Sequence, residues 1–337
     1  MRSSAATRRS AVVGFVVVFA FSWGWTEPTG AKDSAESIVP ENARLELLFD
    51  GGFFLEGPAV APDGTVYFSD ITNTANSGMQ AGYIWRHDPS SGKTTVFRSP
   101  SGMSNGIIFD LEDRMVVAQG ADFGGRCVTR TDMTTGKSEI IAGLYNGRSF
   151  NAPNDLAIDE QGRIYFTDPR YFGHEAIEQP VMGVYRIDPD GSVSLIISDA
   201  GTPNGILVAP DQQTLYVASI SMPDHFSLHA LLAYDLAADG SVSSRRVIVD
   251  FDPEYGPDGM AMDVDGNLYL ARPAVAPHTP GIYVYSPDGQ QLAVIPTQVS
   301  PANAAFGRGP TAKTLYVTAG TNLYKIELNK EGYHPAR

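Results

Sequence analysis

Six residues, each bearing a side-chain carbonyl or carboxylate oxygen, recur along the chain at near-constant spacing: Glu56, Asn105, Asn154, Asn204, Asp258 and Asn303. Successive members are 49, 49, 50, 54 and 45 residues apart. An all-oxygen set with two carboxylates suits a hard divalent cation, Ca²⁺ before Mg²⁺. Glu56 and Asp258 would together supply the −2 that balances such an ion. The alternative is that these side chains only cap the turns that start strands, by bonding nearby backbone. Asn303 fits the set least, because its neighbours Ala302 and Ala304 break the Pro-Asn-Gly or Pro-Asp-Gly context seen at Asn204 and Asp258.

Each of the six opens the same local pattern. An apolar stretch follows, then a turn, then a strand with Tyr or Val near its middle. Asn154-Asp-Leu-Ala-Ile-Asp-Glu-Gln-Gly-Arg-Ile-Tyr-Phe-Thr-Asp168 is a clear copy, and Asp258-Gly-Met-Ala-Met-Asp-Val-Asp-Gly-Asn-Leu-Tyr-Leu-Ala-Arg272 is another. Each reads as a hairpin with Asp-Gly or similar residues in the turn. Most units carry a second hairpin, with turns such as Asp88–Lys93, Asp132–Lys137 and Asp188–Gly191. Four antiparallel strands repeated about every 50 residues predict a β-propeller. Six units predict an all-β fold of six blades. The sixth unit runs out of chain after Asn322–Leu328, one strand short, while Arg44–Phe49 is a strand without a unit. The N-terminal strand is expected to complete the last blade and close the ring, which also hides a sheet edge.

In a propeller the first strand of each blade lines the central channel. The six oxygen-bearing residues then meet at one channel mouth. The second strands return to that face, so Gln119–Asp122, Asp168–Tyr171, Ser219–Met222 and Arg272 are expected around a pocket above the ion. Asn105, Asn154, Arg170 and Tyr171 are the candidates for binding a polar substrate.

The set Glu56-Gly-Pro, Pro153-Asn154-Asp155, Pro203-Asn204-Gly205 and Pro257-Asp258-Gly259-Met260, with Tyr165-Phe-Thr-Asp-Pro169, resembles the SMP-30/gluconolactonase family. The resemblance covers nearly all of the chain after residue 36. It implies a six-bladed propeller with a catalytic Ca²⁺, or another divalent ion, and hydrolysis of sugar-acid lactones such as gluconolactone. By position, Glu56, Asn204 and Asp258 match the family's metal ligands. Asn154 matches a residue that binds the ion in some members and substrate in others. Asp258 matches the residue that accepts a proton from water or attacks directly. Ala152 and Pro153 stand where some animal members carry a basic side chain, which leaves the substrate open. Organophosphate or other ester hydrolysis on the same site is the enzymatic alternative. A propeller that only binds, with the metal bracing its channel, is the other.

Composition narrows the field further. With 43% hydrophobic residues the 337-residue chain can bury a large core, and 34 Gly with 23 Pro suit many short strands. Lys and Arg number 24 against 38 Asp and Glu, a net charge of −14. Such a surface repels phosphate backbones and anionic membranes, so no nucleic-acid partner is expected. One cysteine, Cys127, excludes an intrachain disulfide and a Cys-rich zinc site, and reads as a buried strand residue. Gly92-Lys93-Thr94 and Gly136-Lys137-Ser138 lack the earlier glycine of a phosphate-binding loop, since His87 and Thr131 stand there. His225 and His229 have a zinc spacing only on a helix, and they precede a strand instead.

Arg2, Arg8 and Arg9 precede an apolar run from Ala11 to Trp25. A basic start and a short apolar run are the signature of an export signal. The run is short of the ~20 residues of a membrane span, the alternative being an uncleaved anchor. Thr7-Arg8-Arg9-Ser10 hints at a twin-arginine route, though Ala11 and Val12 replace the usual bulky pair. Residues 1–31 are therefore expected to be a signal that ends near Thr29-Gly30-Ala31, with 32–36 a linker, 37–333 the propeller and 334–337 a tail. The mature protein would be exported, periplasmic or secreted. Removing the segment's net +2 would take the charge from −14 to −16.

Overall fold

A computed structural model describes residues 37–72, 81–220, 228–274 and 279–335. The export segment, the linker, Ser221, Met222, His225 and the last two residues of the tail lie outside the described residues. Among the described residues no helix is long and apolar enough to cross a membrane.

Six four-stranded antiparallel sheets form the six blades. Their inner strands are Leu55–Val60, Ser104–Phe109, Leu156–Ile158, Pro203–Val208, Met260–Met262 and Pro301–Phe306. Each sheet runs outward in chain order, except the sixth. There Glu46–Phe49 pairs antiparallel with Asn322–Glu327 as the outermost strand, with Glu46 opposite Lys325 and Phe49 opposite Leu323. The expected ring closure is present. Phe49 also packs on Trp85 and Phe68 of blade 1, at ring separations of 4.9 and 5.7 Å.

The core lies between adjacent blades rather than at one centre. Ala157, Tyr165 and Val184 of blade 3, for instance, pack with Val208, Val217 and Leu232 of blade 4. Blades diverge outward, so the second strands need bulk, and buried Tyr67, Tyr165, Tyr216, Tyr269 and Tyr316 supply it in five of the six. A buried phenol needs a partner. Tyr165 donates to Asp159 at 2.9 Å and Tyr269 to Asp263 at 3.1 Å. These aspartates also hold their own hairpin turns, Asp159 accepting from the backbone N–H of Gln161 and Arg163.

The inner strands crowd at the axis. A Cβ on Gly57 would stand 2.0 Å from the Asn105 carbonyl, and one on Gly205 would stand 2.7 Å from the Asp258 carbonyl. That close approach is why glycine follows the oxygen-bearing residue in most units. The far end of the channel is a cavity of about 140 Å³, lined by Ile158, Met262 and Phe306 and flanked by Tyr333 and His334.

Candidate active site

The oxygen-bearing residues are aimed into the channel by irregularities in the sheets. Pairing between the first two strands slips between Glu56 and Ala59, between Ser104 and Ile107, and between Pro203 and Ile206. Bulges of this kind re-aim a side chain out of the regular alternation. The matching stretches of blades 3 and 5 are held by bonds from Asn154 N to Thr167 O and from Asp258 N to Ala271 O, 2.9 and 2.8 Å. Ser69 further pins the Asn105 carbonyl with a 2.6 Å hydrogen bond.

Glu56, Asn105, Asn154, Asn204 and Asp258 line one pocket of about 260 Å³ at the channel mouth, together with Tyr171. Asn303 sits deeper. Its Nδ2 donates to Asp155 Oδ2 at 3.4 Å and its Oδ1 accepts from Ala304 N at 2.8 Å. Asp155 is the site residue that the repeat alone did not single out. It occupies the place that Gly106, Gly205 and Gly259 hold in neighbouring units. That departure from glycine was the available signal, because a side chain there must enter the channel.

Three carboxylates thus share a buried space. Burial, then the charges of Asp258 and Asp155, hold Glu56 well above the usual carboxylate range. Burial pushes Asp258 up to about 7, opposed by a hydrogen bond from Asn204. Burial likewise raises Asp155 to about 7, against hydrogen bonds from Leu156 N and Asn303. Like charges this close cannot all ionise without a compensating cation. Asn105 Oδ1 is buried and has no hydrogen-bond partner. Neither His nor Cys lines the pocket among the described residues. An oxygen-only donor set, excess negative charge and an unpartnered amide oxygen fit a hard divalent cation.

The Tyr171 hydroxyl lies beside this cluster. Burial, with the charge of Asp258, keeps it protonated well above the ordinary phenol range, and it donates to Pro203 O at 3.4 Å. Arg170, its neighbour in sequence, does not line the pocket. Its guanidinium pairs with Glu175 at 3.3 Å and bonds Ala176 O at 3.4 Å. Arg272 is likewise turned away, paired with Glu254 at 2.8 Å and stacked over Phe251 and Tyr283. Asp168 is a clamp rather than a rim group: its two carboxylate oxygens accept from Asn151 N and Ala152 N at 2.9 and 2.8 Å. His229 accepts from Gly256 N at 3.3 Å and packs behind Tyr255, without lining the pocket itself.

The family described as SMP-30/Gluconolactonase/LRE-like region matches residues 54–321. The chain is 29% identical over 326 residues to the gluconolactonase of Zymomonas mobilis subsp. mobilis, spanning 88% of this chain and 85% of that protein. It is 28% identical over 255 residues to a lactonase of Staphylococcus epidermidis, spanning 72% and 73% of the two chains. A solved gluconolactonase from Xanthomonas campestris shares the fold at a TM-score of 0.73 and 28% identity, over 86% of this chain and 90% of that one. The matched residues run from the first inner strand to the last blade and include every pocket residue named above. The chain belongs to the SMP-30/gluconolactonase/LRE-like family.

Proposed function

We propose that the protein is a lactone hydrolase whose pocket holds a hard divalent cation, calcium first, on Glu56, Asn154, Asn204 and Asp258. The observation that carries this reading is the convergence of five oxygen-bearing side chains on one mouth, with a third buried carboxylate, Asp155, close behind them. The names of the relatives supply the reaction class, with gluconolactone the first substrate to try. When bound, such an ion polarises a carbonyl and stabilises the negative charge that develops on its oxygen.

The chain's own residues do the rest. Asp258 takes a proton from the attacking water, a role open to a buried carboxylate that the Asn204 amide holds beside the pocket. The water oxygen bonds to the lactone carbonyl carbon and the ring C–O bond then breaks. The proton on Asp258 passes to the departing ring oxygen, leaving an open hydroxy acid. Asn105 and Asn154 hold the substrate against the channel mouth. Tyr171, a fixed hydroxyl beside Asp258, orients it. A module that only bound would have no use for a poised carboxylate beside Tyr171.

Hydrolysis of gluconolactone and simpler lactones by purified protein tests the proposal. Chelation should abolish turnover, and added Ca²⁺ or another hard divalent ion should restore it. Full turnover in metal-free protein, or none on any lactone with any ion, would overturn it. A phosphotriester in the same panel separates the ester-hydrolase alternative.

Export belongs to the same proposal. It rests on Arg2, Arg8, Arg9 and the apolar run 11–25. N-terminal sequencing of protein from its host should find a start near residue 32. An intact Met1 on a cytoplasmic protein would count against it.

A further inference from the structure

Above its polar floor the pocket changes character. The wall is built by Phe54, Ile71, Met103, Ile220, Phe172 and Tyr255. Met103 is 2% exposed and sits at φ 56, a left-handed conformation that a non-glycine residue adopts at a cost. The chain is held there by bonds from Gly120 N to Met103 O and from Gly125 N to Gly102 O, each 2.9 Å. The strain places a thioether, not a polar group, against the site. Phe172 and Tyr255 remain 42% and 41% exposed, so the apolar wall continues to the rim.

Tyr171 apart, charged side chains expected at the rim are committed elsewhere. Arg170 and Arg272 are paired with Glu175 and Glu254, and Asp168 clamps backbone. Gln119 donates to Thr129 and accepts from Cys127, away from the pocket. Among the described residues, then, a hydroxyl on the part of the substrate far from its carbonyl meets mostly apolar surface, the Tyr255 phenol apart. A buried hydroxyl without a partner is disfavoured, whereas a methylene there is favoured.

We infer that the preferred substrates are lactones whose ring carries an apolar, alkyl or aryl substituent, bound with the carbonyl on the polar floor and the substituent along the Met103–Phe172–Tyr255 wall. This rests on the lactone-hydrolase reading and refines its substrate class from polyhydroxylated to apolar-substituted rings.

The test uses the metal-loaded full-length protein with δ-hexalactone, δ-octalactone, δ-decalactone and gluconolactone, each rate divided by its uncatalysed rate. The ring size is constant, so the series varies only the substituent. Enhancement, as kcat/KM, should rise by up to about fourfold per buried methylene along the alkyl series. δ-Decalactone should exceed gluconolactone by at least about tenfold. Phe172→Ala, at an exposed position that folding tolerates, should cut the value for δ-decalactone by about tenfold through KM and that for δ-hexalactone by less than about threefold. A flat or falling alkyl series with gluconolactone preferred would overturn the inference and leave lactone hydrolysis standing. An unchanged decalactone preference in Phe172→Ala would remove the proposed wall as its cause. Failure on all four substrates would sink the lactone reading itself, and this inference with it.

Discussion

Glu56 and Asp258 are the two carboxylates of the pocket floor, and their surroundings assign them different work. Glu56 is held well above its ordinary range and accepts from its neighbour Gly57 N at 3.1 Å, the setting of a ligand that needs a cation to ionise. Asp258 has the Asn204 amide and the protonated Tyr171 beside it, the setting of a group that exchanges a proton. Asp258→Asn keeps a ligand oxygen of nearly the same shape but is no base. It should still bind the ion, more weakly, while kcat at saturating metal falls by about 10²–10⁴-fold. Wild-type kcat under that condition would eliminate Asp258 as the proton acceptor. Glu56→Gln should instead act on affinity. Calorimetric titration should show a loss beyond the roughly 10–100-fold that an outer-shell change costs. A Gln variant with unaltered ion affinity would remove Glu56 from the ligand set.

The elements place these residues through two matching clamps. Asp168, at the end of a second strand, grips the N–H groups of Asn151 and Ala152, three and two residues before Asn154. Asp70 does the same in blade 1, accepting from Phe53 N and Phe54 N at 2.9 and 3.0 Å, three and two residues before Glu56. Two of the four proposed ligands are therefore fixed by carboxylates that never touch the pocket. Asp168→Asn turns an acceptor into an N–H₂ that faces a backbone N–H. It should cost about 1–3 kcal/mol in thermal or denaturant unfolding. It should also lower ion affinity, because Asn154 loses its register. Asp235→Asn, at a carboxylate 51% exposed, is the control that should change neither. If Asp168→Asn loses stability but binds the ion as wild type does, the clamp is structural only.

On the scale of the whole molecule, the ring gathers five of the six repeated positions, two of them carboxylates, into one site. Its electrostatic cost should be visible in stability. In the metal-free protein the folded state keeps protons on Asp155 and Asp258 up to about pH 7, and holds Glu56 protonated well above the usual carboxylate range. An unfolded carboxylate releases its proton near pH 4. The stabilisation is thus complete below about pH 4 and is lost as pH rises through about 7. A bound cation would remove that loss by favouring the ionised forms. The rise in Tm on adding saturating Ca²⁺ should accordingly be larger at pH 8 than at pH 5. An increment that is constant, or larger at pH 5, would show that these carboxylates do not hold the ion.

The repeat of an oxygen-bearing residue, an apolar stretch, a turn and a Tyr-centred strand determined the six blades from the sequence alone. The missing outer strand likewise determined the ring closure by Glu46–Phe49. Both are legible because hairpin turns and strand alternation are local, and a sheet edge must be paired. Glu56, Asn105, Asn154, Asn204 and Asp258 were legible as a set for the same reason: equivalent positions of a closed repeat share one mouth. The tertiary structure alone decided the rest. Whether Arg170 and Arg272 reach the pocket depends on which carboxylates wait behind them: Glu175 is folded back from Arg170's own loop, and Glu254 is brought to Arg272 by another. Asn303 dropped below the mouth because Asp155, in place of a glycine one blade triplet away, offers it a partner across the axis. The apolar wall joins Phe54, Met103, Phe172 and Tyr255 from separate blades. No periodicity relates them, since loops between strands are free to differ while the strands they join must repeat.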